Sequence, residues 1–194
     1  KLSDLANEAL GLLDHLGIKD CVYLGVSMGG LVAQGLAVKR LDLVRGLVLS
    51  NTAAKIGTPW FWQGAIAAVT AGGLDAIHDG AMEALFSPAF RKTADFDHWQ
   101  GVMRGMAVDG WLGCAAAIAG SDFYQTTATL TLPTLAIASD RDGSTPPDLV
   151  RETGDLIRGS RFHLINGAGH FPMIEAPVPY AAALTDFLHS IGHV

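Results

Sequence analysis

Charge is scarce in this 194-residue chain: Asp, Glu, Lys and Arg make up 16% of it, and 13 Lys and Arg face 19 Asp and Glu, a formal net charge of −6. No basic cluster occurs anywhere, which argues against nucleic acid and anionic membrane as partners. Cysteine is nearly absent. Cys21 and Cys114 lie far apart in apolar surroundings without metal-ligand spacing, which excludes a disulfide framework and a cysteine metal cluster and fits reduced core thiols of a cytoplasmic protein. Long apolar runs are missing too: residues 56–74 are broken by Pro59, Gln63 and a Gly pair, so no stretch gives the roughly 18 clean residues of a membrane span. No signal peptide pattern, internal repeat or low-complexity linker is present. An initial methionine is also lacking. Lys1 enters directly into a helical pattern, and a preceding segment is expected.

What the chain does have is 49% apolar residues, enough for one domain with a buried core. Leu2, Leu5, Ala6, Ala9, Leu12, Leu13 and Leu16 keep the spacing of one helix face, with Ser3 as a possible cap and Gly17 as a stop. Residues 22–26 form a short apolar run, read as a buried strand. A tight turn and a helical stretch from Leu31 to Val38 follow, then a second strand signal over 46–51. This is the pattern of a βαβ unit, and it predicts an α/β fold with a mostly parallel sheet covered by helices. From Thr52 to about Leu130 the strand signal gives way to Ala-rich helical segments around 60–86, 95–108 and 110–119. Strands resume at 134–138 and 161–165, with helices at 148–157 and 178–191.

The first strand is apolar on both faces, the mark of a central strand with neighbours on both sides. A right-handed crossover to strand 47–50 fills one side only. A bare apolar edge is a liability, so an upstream segment is expected to pair there.

Gly25-Val26-Ser27-Met28-Gly29 fits the nucleophile-elbow pattern G-x-S-x-G, for which this composition gives about 0.1 chance matches. Its position between a buried strand and a helix supplies the specificity. The turn would expose Ser27 at the carboxyl end of the sheet, with Gly25 and Gly29 required by crowding. The Met28 N–H, at the positive end of the following helix, would bind an oxyanion. A serine needs a base. Of seven histidines only His170 lies on a short Gly-rich loop, Asn166-Gly167-Ala168-Gly169-His170, between a strand and a helix. The carboxylate that orients it should also follow a strand. After 134–138 come Asp140 and Asp142; Asp142, further out and followed by a Gly turn, is preferred, with Asp140 as runner-up. Capping of the helix near Pro147 is the alternative use of either aspartate. The order Ser27, Asp142, His170 is that of α/β-hydrolases.

With these residues in place, the sequence resembles the 3-oxoadipate enol-lactonase family of the α/β-hydrolases over essentially its whole length. The more specific pieces are Gly25-Val26-Ser27-Met28-Gly29-Gly30, Asn51-Thr52-Ala53-Ala54, Ile56-Gly57-Thr58-Pro59 with Trp62, and Phe86-Ser87-Pro88-Ala89-Phe90-Arg91. The resemblance implies a serine hydrolase that opens 3-oxoadipate enol-lactone in the β-ketoadipate pathway of aromatic breakdown, with a small-molecule lactone as substrate and no metal or organic cofactor. It places the catalytic acid at Asp142 through Thr145-Pro146-Pro147, and it makes Trp62 a pocket-lining residue. It also divides the chain into hydrolase core over 1–51, helical cap or lid over 52–130 and hydrolase core over 131–194. Of the four tryptophans, 60, 62, 99 and 111, most are expected in the core. The family has four further strands and a helix upstream, with a loop of that segment supplying a second oxyanion donor, so this chain alone is expected to be poorly active.

Two features depart from the family pattern. Phe171 replaces a more usual polar residue after the base, and Ala119 stands where an arginine is expected. Two rival readings differ in class. A dinucleotide-binding turn at Gly25, Gly29 and Gly30 would need an acidic residue near the end of the next strand, where Ser50 and Asn51 stand. A hydrolase-like receptor would keep the triad but use the cap as a partner surface.

Overall fold

The strand runs on either side of the Gly25–Gly29 turn become parallel neighbours in the computed structural model, which describes residues 1–193. Helix α1 (Leu2–His15) leads into β1 (Cys21–Val26), α2 (Met28–Lys39) and β2 (Val44–Ser50). Then come α3 (Pro59–Gly72), α4 (His78–Leu85), α5 (Asp95–Arg104), α6 (Val108–Ala119) and the short α7 (Tyr124–Thr127). The chain closes with β3 (Thr134–Ser139), α8 (Pro147–Asp155), β4 (Arg161–Ile165), the single turn α9 (Pro172–Glu175) and α10 (Pro177–Ser190). The sheet is all parallel in the order β1-β2-β3-β4. All four strands therefore end at one edge, where the residues with chemistry are found.

Alternation along the strands decides what each face buries. Leu47 and Leu49 of β2 pack with Ala33, Leu36 and Ala37 of α2 and, behind them, Leu10 and Leu13 of α1. Val48 joins Leu135, Ile137 and the α10 residues Tyr180 and Phe187 in a second cluster. Ala136 and Ala138 meet Val150 of α8. Helices on both faces explain why residues 46–49 of β2 and 135–138 of β3 are continuous apolar runs.

Strand β1 has one side bare, the side on which an upstream segment is expected to pair. It lies at the end of the sheet order, its side chains are mostly half-buried, and Leu24 is 40% exposed. Among the described residues only β2 pairs with it, and an edge strand lacks the neighbour that would cover its outer side chains. Three expectations change. Helix α1 starts at Leu2, which it buries, so Lys1 holds the cap position and Ser3 falls within the first turn; Gly17 does end it, at φ 68°. Both cysteines are free but only half-buried. Trp60 is 81% exposed because α3 turns its first turn outward and fully buries only Val69, and Trp62, Trp99 and Trp111 are half-buried.

Residues 52–130 contain no strand, as their composition predicts. Helix α3 starts where Thr58 accepts the Phe61 N–H at 3.1 Å and Pro59 needs no acceptor. The end of α4 leads into an aromatic cluster in which Phe86 packs on Phe90, Phe96 and Trp99. No single helix among the described residues is long and apolar enough to cross a membrane.

Candidate active site

Ser27 sits between β1 and α2 at φ 53° and ψ −122°, a left-handed conformation that costs an ordinary residue about 1–3 kcal/mol. Its backbone is held from both sides. The Ser27 N–H donates to the Ser50 carbonyl at 3.1 Å, and the Ser27 carbonyl accepts the Thr52 hydroxyl at 2.6 Å and the Gly30 N–H at 2.9 Å. Close approach, rather than φ, explains the glycines. A Cβ on Gly25 would fall on the Gly29 carbonyl, and one on Gly30 would fall on the Thr52 side chain. Gly29, expected to be required by crowding, is not: a Cβ there would meet nothing within 4 Å, because its direction leaves the turn, and Gly30 is the crowded residue instead. The Met28 N–H, at the first position of α2, finds no acceptor among the described residues. A free N–H at a helix N-terminus is suited to an anion.

Asp142 and His170 form a sealed pair. His170 Nδ1 lies 2.8 Å from Asp142 Oδ2, and their side chains are 2% and 0% exposed. The other four bonds to this carboxylate come from the loop and the neighbouring strand. Oδ1 accepts the N–H groups of Ser144 and Thr145 at 2.8 and 2.9 Å, and Oδ2 accepts the Thr145 hydroxyl at 2.7 Å and Asn51 Nδ2 at 3.0 Å. Burial alone pushes the Asp142 carboxyl upward. The bond and charge of His170, with the donors of Thr145, outweigh it and hold the group below the ordinary carboxylate value. With its Nδ1 on Asp142, the His170 ring has Nε2 left for a further partner. No hydrogen bond joins Ser27 Oγ to His170, and apo sites often form that bond only with substrate in place.

Asp140, the runner-up, is occupied elsewhere: its Oδ1 accepts the Gly167 N–H at 2.6 Å, bracing the loop after β4. Neither aspartate caps α8, whose cap position is Pro146 with no side-chain bond. Trp62 donates its indole N–H to the Ile56 carbonyl at 2.7 Å and packs in the cluster that contains Met28. Phe171, the residue that departs from the family pattern, packs against Phe86 of the aromatic cluster with ring centroids 5.5 Å apart. Asn51 is a member of the site that sequence reasoning passes over, because the chemistry calls only for an acid after β2. It is fully buried at φ 46°, its amide donating to Asp142 and to Ser139 Oγ and its carbonyl accepting the Ser50 hydroxyl. A polar pair closing an otherwise apolar strand is the available signal.

The order of these parts along a parallel sheet narrows the fold, and comparison with known proteins decides the family. The sequence profile of the Alpha/beta hydrolase family matches residues 1–183. This chain belongs to that family. Among characterised α/β hydrolases it is similar to 3-oxoadipate enol-lactonase 2 of Acinetobacter baylyi, at 31% identity over 73% of this chain and 54% of the relative. It is 29% identical to 3-oxoadipate enol-lactonase 1 of the same organism over 98% of this chain and 72% of the relative. The chain thus spans about half to three quarters of the length of these relatives. Among solved structures, the enol-lactonase from Burkholderia xenovorans LB400 superposes with a TM-score of 0.92 at 27% identity, covering 97% of this chain and 73% of that one.

Proposed function

We propose that this α/β hydrolase chain carries the catalytic triad of a serine lactonase, with Ser27 as nucleophile, His170 as base and Asp142 as the acid that orients it. The observation that carries the reading is the buried Asp142–His170 pair at the same sheet edge as the left-handed Ser27 turn. In the reaction, Ser27 Oγ attacks the lactone carbonyl carbon while His170 Nε2 takes its proton. The oxyanion forms beside the Met28 N–H, and Asp142 stabilises the imidazolium. The ring C–O bond then breaks, and the enol oxygen takes the proton from His170 while remaining tethered to the acyl-serine. Water attacks next, His170 accepts its proton, and Ser27 leaves protonated by the same ring. Every proton passes through His170.

The substrate is a small carboxylated enol-lactone of the 3-oxoadipate type, a reading supported by the two similar relatives. Residues 52–130 serve as the cap over the site, with Trp62 packed against the same apolar cluster as Met28. The test is to compare kcat/KM on 3-oxoadipate enol-lactone with that on neutral aryl esters of similar size. Preference for the enol-lactone, abolished in Ser27→Ala, is the expected result. A preference for the neutral esters would replace the lactonase reading with a general esterase.

A further inference from the structure

The acid and base loops are fastened to consecutive residues of the cap segment, by contacts the proposed mechanism does not use. The His170 N–H donates to the Leu85 carbonyl at 2.7 Å, and the Gly143 N–H of the acid loop donates to the Ala84 carbonyl at 2.9 Å. Glu175 of α9 adds a further tie. Its Oε1 accepts the Gly169 N–H at 3.1 Å, and both of its oxygens lie 3.3 Å from the Ser87 nitrogen, whose N–H they accept. A Cβ on Gly169 would lie 2.5 Å from the Leu85 carbonyl oxygen and 2.7 Å from Glu175 Oε1. The absence of a side chain at Gly169 thus lets the loop reach both.

We propose that Glu175 is a positioning residue: its carboxylate ties the peptide N–H immediately before His170 to the Ser87 N–H of the cap, fixing the imidazole against Asp142 and towards Ser27. This rests on His170 being the base. A carboxylate only accepts hydrogen bonds, so it suits a place where two backbone donors converge, and its charge strengthens both bonds. Without it the loop has two donors to satisfy anew, and a shift of about 1 Å in a catalytic group costs on the order of 10²-fold in rate.

The test compares wild type with His170→Ala, Glu175→Ala, Glu175→Gln and Glu175→Asp on an aryl ester, alongside the low-field proton NMR signal of the imidazole N–H. His170→Ala removes both turnover and that signal. In Glu175→Ala, kcat is expected to fall about 10- to 100-fold with KM changed far less, and the His170 signal to shift or broaden. Glu175→Gln keeps an acceptor for Gly169 and recovers most of both readouts, whereas Glu175→Asp, whose carboxylate sits one methylene short of the two N–H donors, is expected to lose part of both and carries the comparison if the alanine variant does not fold. Wild-type kcat and an unmoved signal in Glu175→Ala, or in Glu175→Asp if the alanine variant does not fold, with His170→Ala inactive, overturn this inference and leave the triad standing. So does a loss of turnover seen only as a raised KM. Equal rates in wild type and His170→Ala overturn the triad itself.

Discussion

His170 Nδ1 and Asp142 Oδ2 lie 2.8 Å apart with both side chains withdrawn from solvent, although the residues are 28 positions apart in the chain. The contact fixes the ring so that Nε2 is the nitrogen left for chemistry. Replacing Asp142 by Asn should therefore keep much of the geometry but allow the wrong tautomer, with kcat lower by on the order of 10⁴-fold. Steady-state kinetics of Asp142→Asn checks this, and a loss below about tenfold would remove Asp142 from the mechanism.

The same carboxylate makes stability depend on pH. Its folded-state pKa lies below its unfolded value of about 3.9, so the unfolded chain binds the proton more readily. The stabilisation is full above that value and is lost as pH falls through the lower folded value. Urea unfolding between about pH 2 and 5 should show stability rising with pH more steeply in wild type than in Asp142→Asn. Parallel curves would contradict the shift.

Asn51 combines a left-handed backbone with two donated side-chain hydrogen bonds. Asn51→Gly loses the bonds but accepts the backbone, whereas Asn51→Ala loses the bonds and keeps the strain. Chemical denaturation should find the alanine variant less stable than the glycine variant by about 1 kcal/mol. The reverse order would mean that the backbone conformation is not what Asn51 is there to relieve.

The elbow glycines separate in the same way. Gly29→Ala projects into open space and should leave stability within about 0.5 kcal/mol, while Gly30→Ala runs into the Thr52 side chain and should cost about 1–3 kcal/mol. Thermal unfolding of the two variants distinguishes them. Equal effects would contradict the crowding at Gly30.

These contrasts show what sequence can and cannot convey. The strands, the elbow and the loop positions of Asp142 and His170 are legible because each has a local cause: apolar runs, a strand-to-helix switch, glycines around a polar residue. The crowding at Gly30 is not, because its neighbour Thr52 is brought there by β2. Asn51 is hidden for a similar reason: its importance lies in a bond to a residue 91 positions away. The exposure of Trp60 is equally illegible, since hydrophobicity says that a side chain prefers burial and not whether an element's outer face is covered.

The most direct measurement is peptide-mapped mass spectrometry of the full chain after reaction with an alkyl fluorophosphonate, which traps an activated serine whether or not lactone turnover is fast. The expected result is one adduct, on Ser27, formed at least about 10²-fold faster in wild type than in His170→Ala. An adduct on another serine, or equal labelling with and without His170, would contradict a Ser27 nucleophile activated by the His170–Asp142 pair.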